Sequence, residues 1–195
     1  MPLTPLHYPV AYAMRKLAKR AGIELDMAGL AIGSFTPDLE CPFFMVALWA
    51  GFLPPDAPWA WAHRLVLHSL LGSLTLGSLI SILIVLALYK LMAPEGMDRP
   101  SLPRLYVACS LGNLSHVLLD AVHHPYNPLF YPFTAENVSA LVLMGNLWLA
   151  NLVVYGIVVP ASVVVLLREW GSEHGLLAQL LFDPPRGGPG SGRTP

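Results

Sequence analysis

From Val66 to Met92 the chain is built mainly of Leu, Ile, Val, Gly and Ser, and its one Asp, Glu, Lys or Arg is Lys90. Wound as an α-helix, this stretch is about 40 Å long, more than the roughly 30 Å hydrocarbon layer of a bilayer. A chain carrying such a segment is expected to fold in lipid. Composition agrees, with 55% apolar and 12% charged residues, against about 45–50% and 25% in soluble domains. In lipid every backbone polar group needs a partner within the protein, so long apolar runs become helices. The expected fold is an all-α integral membrane protein. A net charge of −1 offers no field for nucleic acid, and Cys41 and Cys109 alone define no disulfide framework.

Residues 1–183 read as a single helical membrane domain, and the Gly- and Pro-rich residues 184–195 as a disordered tail. Thr4-Pro5 has the form of an N-cap and first helical residue, opening a short helix to about Arg20 that is too short to span and is partly inserted. Four crossings follow, over Met27–Leu53, Val66–Met92, Arg104–His123 and Ser139–Leu167. The second helix of the chain, from Met27, is broken at Pro37-Asp38, because backbone at membrane depth loses a helical donor at each proline. Trp59 and Trp61, in a Pro-rich loop, suit the headgroup layer. Gly72, Ser73, Gly77, Ser78 and Ser81 allow close helix contact.

Basic residues were not used to choose these segments and they test the layout. With four crossings, Arg15, Lys16, Lys19, Arg20, Lys90, Arg99, Arg104, Arg168, Arg186 and Arg193 fall on one side and Arg64 on the other. The positive-inside rule then makes this a multi-pass cell-membrane protein with both termini cytoplasmic.

The titratable residues are set deep. At 1.5 Å rise per residue, His116 lies roughly 18 Å and Asp120 roughly 24 Å along their helix from its cytoplasmic end, and Asp38 roughly 16 Å along its own segment. His68 sits near the outer end of the Val66–Met92 helix with His63 just outside, and His7 is lifted roughly 12 Å above the basic end of the first helix. Ionisable groups at such depth are costly unless they have partners, water or a metal. His116 and Asp120, at i and i+4, share a helix face and can ligate one ion. Asn113 lies near that face, placed to orient a ligand. Mixed imidazole and carboxylate donors suit Zn²⁺, or Mn²⁺ and Fe²⁺. A cation so held activates water as nucleophile, with the carboxylates Glu40 and Asp38 as catalytic candidates and Glu40 as a general base. Each residue also has an ordinary reading. A buried imidazole can be a packing residue, His63 beside Arg64 a headgroup contact, one of His123 and His124 a loop residue, and Glu24 and Asp26 solvated helix ends.

The order of these residues also carries a resemblance. After an early His7 come Gly33-Ser34-x-x-Pro37-Asp38-x-Glu40, then His63-Arg64-x-x-x-His68-Ser69, then Ser115-His116-x-x-x-Asp120-x-x-x-His124-Pro125. Over about residues 1–133 this resembles the membrane-bound metal-dependent hydrolases, an inner-membrane family that includes a LexA-regulated member. The resemblance implies a zinc-type hydrolase distantly similar to zinc phospholipases C. It carries over His7, Asp38, His68, His116, Asp120 and His124 as metal ligands, with His63 and Glu40 beside them. His123 stands where a small polar residue is usual, which leaves His123 and His124 as alternatives.

The expected function is metal-dependent hydrolysis of a phosphoester or ester in a lipid or lipid-linked substrate, at a site in the outer half of the bilayer. The alternative is a non-enzymatic divalent-metal carrier or sensor. A haem held between His68 and His116 fits poorly beside carboxylates.

Overall fold

The structure, a computed structural model, describes residues 4–57, 66–93, 97–125, 127–138, 141–171 and 175–183. Trp59, Trp61, His63 and the tail expected to be disordered lie outside them. Among the described residues every regular element is helical. They are α1 (Tyr8–Arg20), α2 (Met27–Phe35), α3 (Glu40–Trp49), α4 (Leu70–Met92), α5 (Leu102–His123), α6 (Leu147–Glu169) and α7 (Leu176–Phe182). Three of them, α4, α5 and α6, are long and apolar enough to cross a membrane.

The ends of these helices follow local chemistry. A 3-10 turn over Thr4–His7 precedes α1, so the regular helix begins a turn later than an N-cap at Thr4 would start it. It ends at Arg20 with Lys19 and Arg20 in its last turn, where cations meet the negative end of the helix dipole. α6 begins at Leu147 and not near Ser139, because Asn146 accepts the N–H groups of Trp148 and Leu149 at 3.0 and 3.1 Å. α5 stops at His123, since Pro125 disfavours helical geometry at His124.

Asp26 is not a solvated helix end. Its carboxylate caps α2 by accepting Gly29 N–H at 2.6 Å, and it also accepts the Tyr89 hydroxyl from α4. Burial pushes this carboxyl up from its ordinary range, against the two hydrogen bonds that favour its charged form. Asp26→Ala is expected to cost about 1–2 kcal/mol through the lost cap, with Tyr89 stranded as well. A fall in thermal midpoint in detergent, largely restored by Asp26→Asn, is the measurement.

Between α2 and α3 a 3-10 turn spans Thr36–Leu39, at the place where the sequence calls for a break. Pro37 has no N–H to donate. Thr36 Oγ1 takes up the strain on partners: it donates to the Ile32 carbonyl at 2.8 Å and meets Ser81 Oγ of α4 at 2.7 Å.

The most extensive helix packing is between α2 and α5, and glycine makes it possible. A Cβ on Gly29 would sit 2.8 Å from Ala108 Cβ, one on Gly33 would run into the Cys109 carbonyl, and one on Gly112 would run into the Leu30 carbonyl. The two backbones therefore touch directly, the contact that Gly-x-x-x-Gly permits in apolar helices. Ala28, Val85, Leu105 and Cys109 fill the layer between α2, α4 and α5 nearer the basic end, joined by Phe182. At that end Lys16 and Arg15 pair with Asp183 at 2.8 and 3.5 Å and Arg104 with Glu24 at 3.4 Å. Arg15, Lys19, Arg99 and Arg104 line one cleft of about 650 Å³ there, together with Glu24, Asp26, Asp98 and Asp183.

Candidate metal centre

The α2–α5 crossing also places His116. With the two backbones in contact at Gly33 and Gly112, His116 Nδ1 lies 2.7 Å from the carbonyl oxygen of Ser34. A carbonyl only accepts, so a proton is on Nδ1, and in the neutral ring the Nε2 lone pair faces inward. The turn Val66–His68 does the same for His68. Gly72 lets that turn lie on α4, since a Cβ there would overlap the Val66 carbonyl, and Ser69 Oγ caps the Gly72 N–H at 2.9 Å. His68 Nδ1 then stands 2.8 Å from Glu40 Oε2, while Glu40 Oε1 accepts the Leu67 N–H. His123 Nδ1 donates to the Leu119 carbonyl one turn back at 2.7 Å. Three imidazoles, two on α5 and one on the turn before α4, thus hold their Nδ1 protons away from the centre.

Their Nε2 atoms converge on two carboxylates. His116 Nε2 is 3.3 Å from Asp120 Oδ2 and 3.5 Å from Asp38 Oδ1. His68 Nε2 is 3.8 Å from Asp38 Oδ1 and 3.9 Å from Asp120 Oδ2. Around the other oxygen, Asp120 Oδ1, stand His7 Nε2 at 3.5 Å, His123 Nε2 at 3.8 Å and His124 Nε2 at 3.9 Å. The rings of His7 and His116 stack with centroids 3.7 Å apart. Cationic imidazoles resist that approach, so at most one of this pair carries charge.

Burial raises the stakes. His7, His68, His116, Asp120 and His123 are buried, as is Glu40. Both nitrogens of His7, Nε2 of His116 and His123, and Asp120 Oδ1 make no hydrogen bond. Unprotonated Nε2 and carboxylate oxygen are both acceptors, and acceptors held face to face need a positive charge between them. Among the described residues the ion-pair partners of Asp38, Glu40 and Asp120 are histidines throughout, never Lys or Arg. Three overlapping sets have donor atoms within 4.8 Å of one another: His7, Asp38 and His116; His68, His116 and Asp120; and Asp120, His123 and His124. The orphaned donors and the mixed imidazole–carboxylate chemistry fit a divalent cation.

Of the residues singled out from sequence, His7, Asp38, His68, His116, Asp120 and His124 meet in this cluster, and His63 lies outside the described residues. His123 and His124 both stand beside Asp120 Oδ1. Glu40 sits behind His68, with each oxygen already accepting a hydrogen bond, so it orients the His68 ring and is poorly placed as a general base. Asn113 does not reach a ligand: it donates to Ser81 Oγ and the Cys109 carbonyl and ties α4 to α5. Sequence reasoning missed Asn127, which donates to the carbonyls of Asp120 and His124 at 3.1 and 2.7 Å and fastens the end of α5. A lone Asn shortly after a His-Pro helix stop was the available signal. The packing role of Gly29 and Gly33 was missed too, although Gly-x-x-x-Gly in an apolar run is legible as a packing face.

Three membrane-length apolar helices, bound to a buried His and Asp cluster able to hold a metal, define a multi-pass membrane protein with a polar centre. The chain belongs to the YdjM inner membrane protein family, whose model matches residues 7–182. No curated protein and no solved structure matches it.

Proposed function

We propose that this protein is a membrane-embedded, metal-dependent hydrolase acting on a phosphoester or ester of a lipid or lipid-linked substrate. The observation that carries the reading is the inward set of Nε2 atoms facing Asp38 and Asp120, with the Nδ1 protons of His68, His116 and His123 tied to acceptors behind them. That is the outer-sphere arrangement by which proteins fix imidazoles as metal ligands. A divalent cation, zinc or else manganese or iron, supplies Lewis acidity that activates water and polarises a phosphoryl or acyl oxygen.

The protein's own groups supply the rest. Asp38 and His124 are the ligand side chains with most access, 12% and 14% exposed against 3% for Asp120, so substrate approaches along that edge. Asp38 is therefore the carboxylate suited to take the proton from water. In the hydrolysis, water oxygen bonds to phosphorus or acyl carbon, the bond from that atom to the leaving oxygen breaks, and the water's proton reaches the leaving alcohol. Phe43, Val46 and Trp49 of α3 are exposed beyond Asp38, an apolar border suited to an amphiphile's chains. With both termini cytoplasmic and α2–α3 as a broken fourth crossing, the cluster lies in the outer half of the bilayer. The packed layer of Ala28, Val85, Leu105 and Cys109 between the cluster and the basic end favours this one-sided site over a carrier.

The test is metal content and lipid hydrolysis by the purified full chain in detergent. Freshly purified wild type is expected to hold a divalent metal and to release alcohol from a phosphodiester or ester lipid in a chelator-sensitive way. His116→Ala and Asp120→Ala are expected to lose more than ~100-fold in metal affinity, beyond the 10–100-fold typical of outer partners. Wild type without metal rules the reading out.

A further inference from the structure

The two oxygens of Asp120 face different imidazoles. On the Oδ2 side are His68 Nε2 and His116 Nε2, which also face Asp38 Oδ1 at 3.8 and 3.5 Å. On the Oδ1 side are the Nε2 atoms of His7, His123 and His124. From this division we infer that the centre holds two divalent cations bridged by the carboxylate of Asp120, one bound by His68, His116 and Asp38 and the other by His7, His123 and His124. The inference rests on the reading of the cluster as a metal centre and is independent of hydrolysis.

Donor number argues for it. Five imidazoles and two carboxylates point at one space, more than the four ligands of a tetrahedral ion and more imidazoles than single-metal sites employ. A lone cation on either side of Asp120 would leave His123 or His116 on the opposite side unmatched. A cation on the Oδ2 side leaves His123 Nε2 and Asp120 Oδ1, neither of which has a hydrogen bond, facing each other at 3.8 Å. A cation on the Oδ1 side leaves the lone pair of His116 Nε2 against Asp38 and Asp120 oxygens.

Charge argues the same way. Asp38, Asp120 and Glu40 carry three negative charges at full ionisation, so a single divalent ion leaves one uncompensated in a buried site where no Lys or Arg among the described residues pairs with them. Two divalent ions reverse the sign and leave room for an anionic ligand. Bridging carboxylates hold paired cations about 3.5–4 Å apart. The stacked rings fit this geometry, since His7 and His116 lie 3.7 Å apart and their Nε2 atoms address opposite oxygens of Asp120. His7 also comes within 4.8 Å of Asp38 and His116; its 3.5 Å approach to Oδ1 assigns it to the second ion.

The experiment titrates the full chain, stripped with chelator in detergent, with Mn²⁺, and follows bound metal by mass spectrometry and spin coupling by electron paramagnetic resonance. Wild type is expected to saturate at about two ions per chain with the signal of an exchange-coupled pair. His68→Ala and His123→Ala are each expected to keep about one ion and to give the hyperfine pattern of isolated Mn²⁺. Saturation of wild type at one ion overturns the inference, as does a pair of ions without coupling. No bound metal overturns it together with the metal reading. A coupled pair in a protein that cleaves no lipid leaves the inference standing and removes the hydrolase. The wild-type ratio and signal decide the question even if a variant does not fold.

Discussion

The chain carrying Gly112→Leu is expected to yield no folded, monodisperse protein in detergent. The added carbons would enter the α2 backbone itself, at the Leu30 carbonyl, Gly33 Cα and Ser34 N. Ordinary overpacking costs about 1–3 kcal/mol because neighbouring side chains shift. Here no side chain is available to move, so α2 and α5 must part, and parting removes the Ser34 carbonyl from His116 Nδ1. Gly156→Leu is the matched control. Gly156 lies on an exposed face of α6 with nothing within 4 Å of an added Cβ, and leucine there gains roughly 0.5–1 kcal/mol of helix propensity. Size-exclusion profiles and thermal unfolding of the two variants side by side give the measurement. A well-behaved Gly112→Leu protein with bound metal would show that the centre does not depend on the crossing.

Glu40→Gln is expected to keep the fold and lose about 10–100-fold in metal affinity. Glu40 accepts two hydrogen bonds, from Leu67 N–H and from His68 Nδ1. An amide has one accepting oxygen, so one of the two donors must face an NH₂ group. If the conflict falls on His68, its proton moves to Nε2, and a protonated Nε2 cannot ligate. Competition with a chromogenic chelator reads the affinity. In the two-ion arrangement the loss is confined to the ion bound by His68, which makes the weakened step visible as a biphasic titration. An unchanged affinity would make Glu40 a packing residue.

The heights of the polar residues were legible in the sequence, and their directions were not. Rise per residue puts His116, Asp120, Asp38, His68 and His7 at comparable depth without saying whether they meet. Meeting depends on the azimuth of each helix, and that is set by contacts such as Gly33 against Cys109 that no single segment reveals. His123 and His124 illustrate the same limit. Consecutive residues on a helix point about 100° apart, so one of the two would face away. His124 has left the helix, with extended backbone at φ −118° and ψ 140°, and that turn brings its ring back to Asp120. Glu40 was recognisable as a carboxylate near the site, but its role depends on the turn over Val66–His68, which the apolar pattern of Val66–Met92 concealed inside an apparently continuous helix.

The wide π-helical turn at Ser73–Gly77 acts as a crank in α4. Gly72 and Ser73 are buried where it begins and Gly77 and Ser78 where it ends, a recurrence of five residues. In an unbroken α-helix a step of five points about 140° away, so one pair would look into lipid. The extra residue in the turn brings both pairs round to the same bearing. One shaft can thereby lean on α5 through Ser78 and Ser110 and still deliver His68 to the opposite end of the same side.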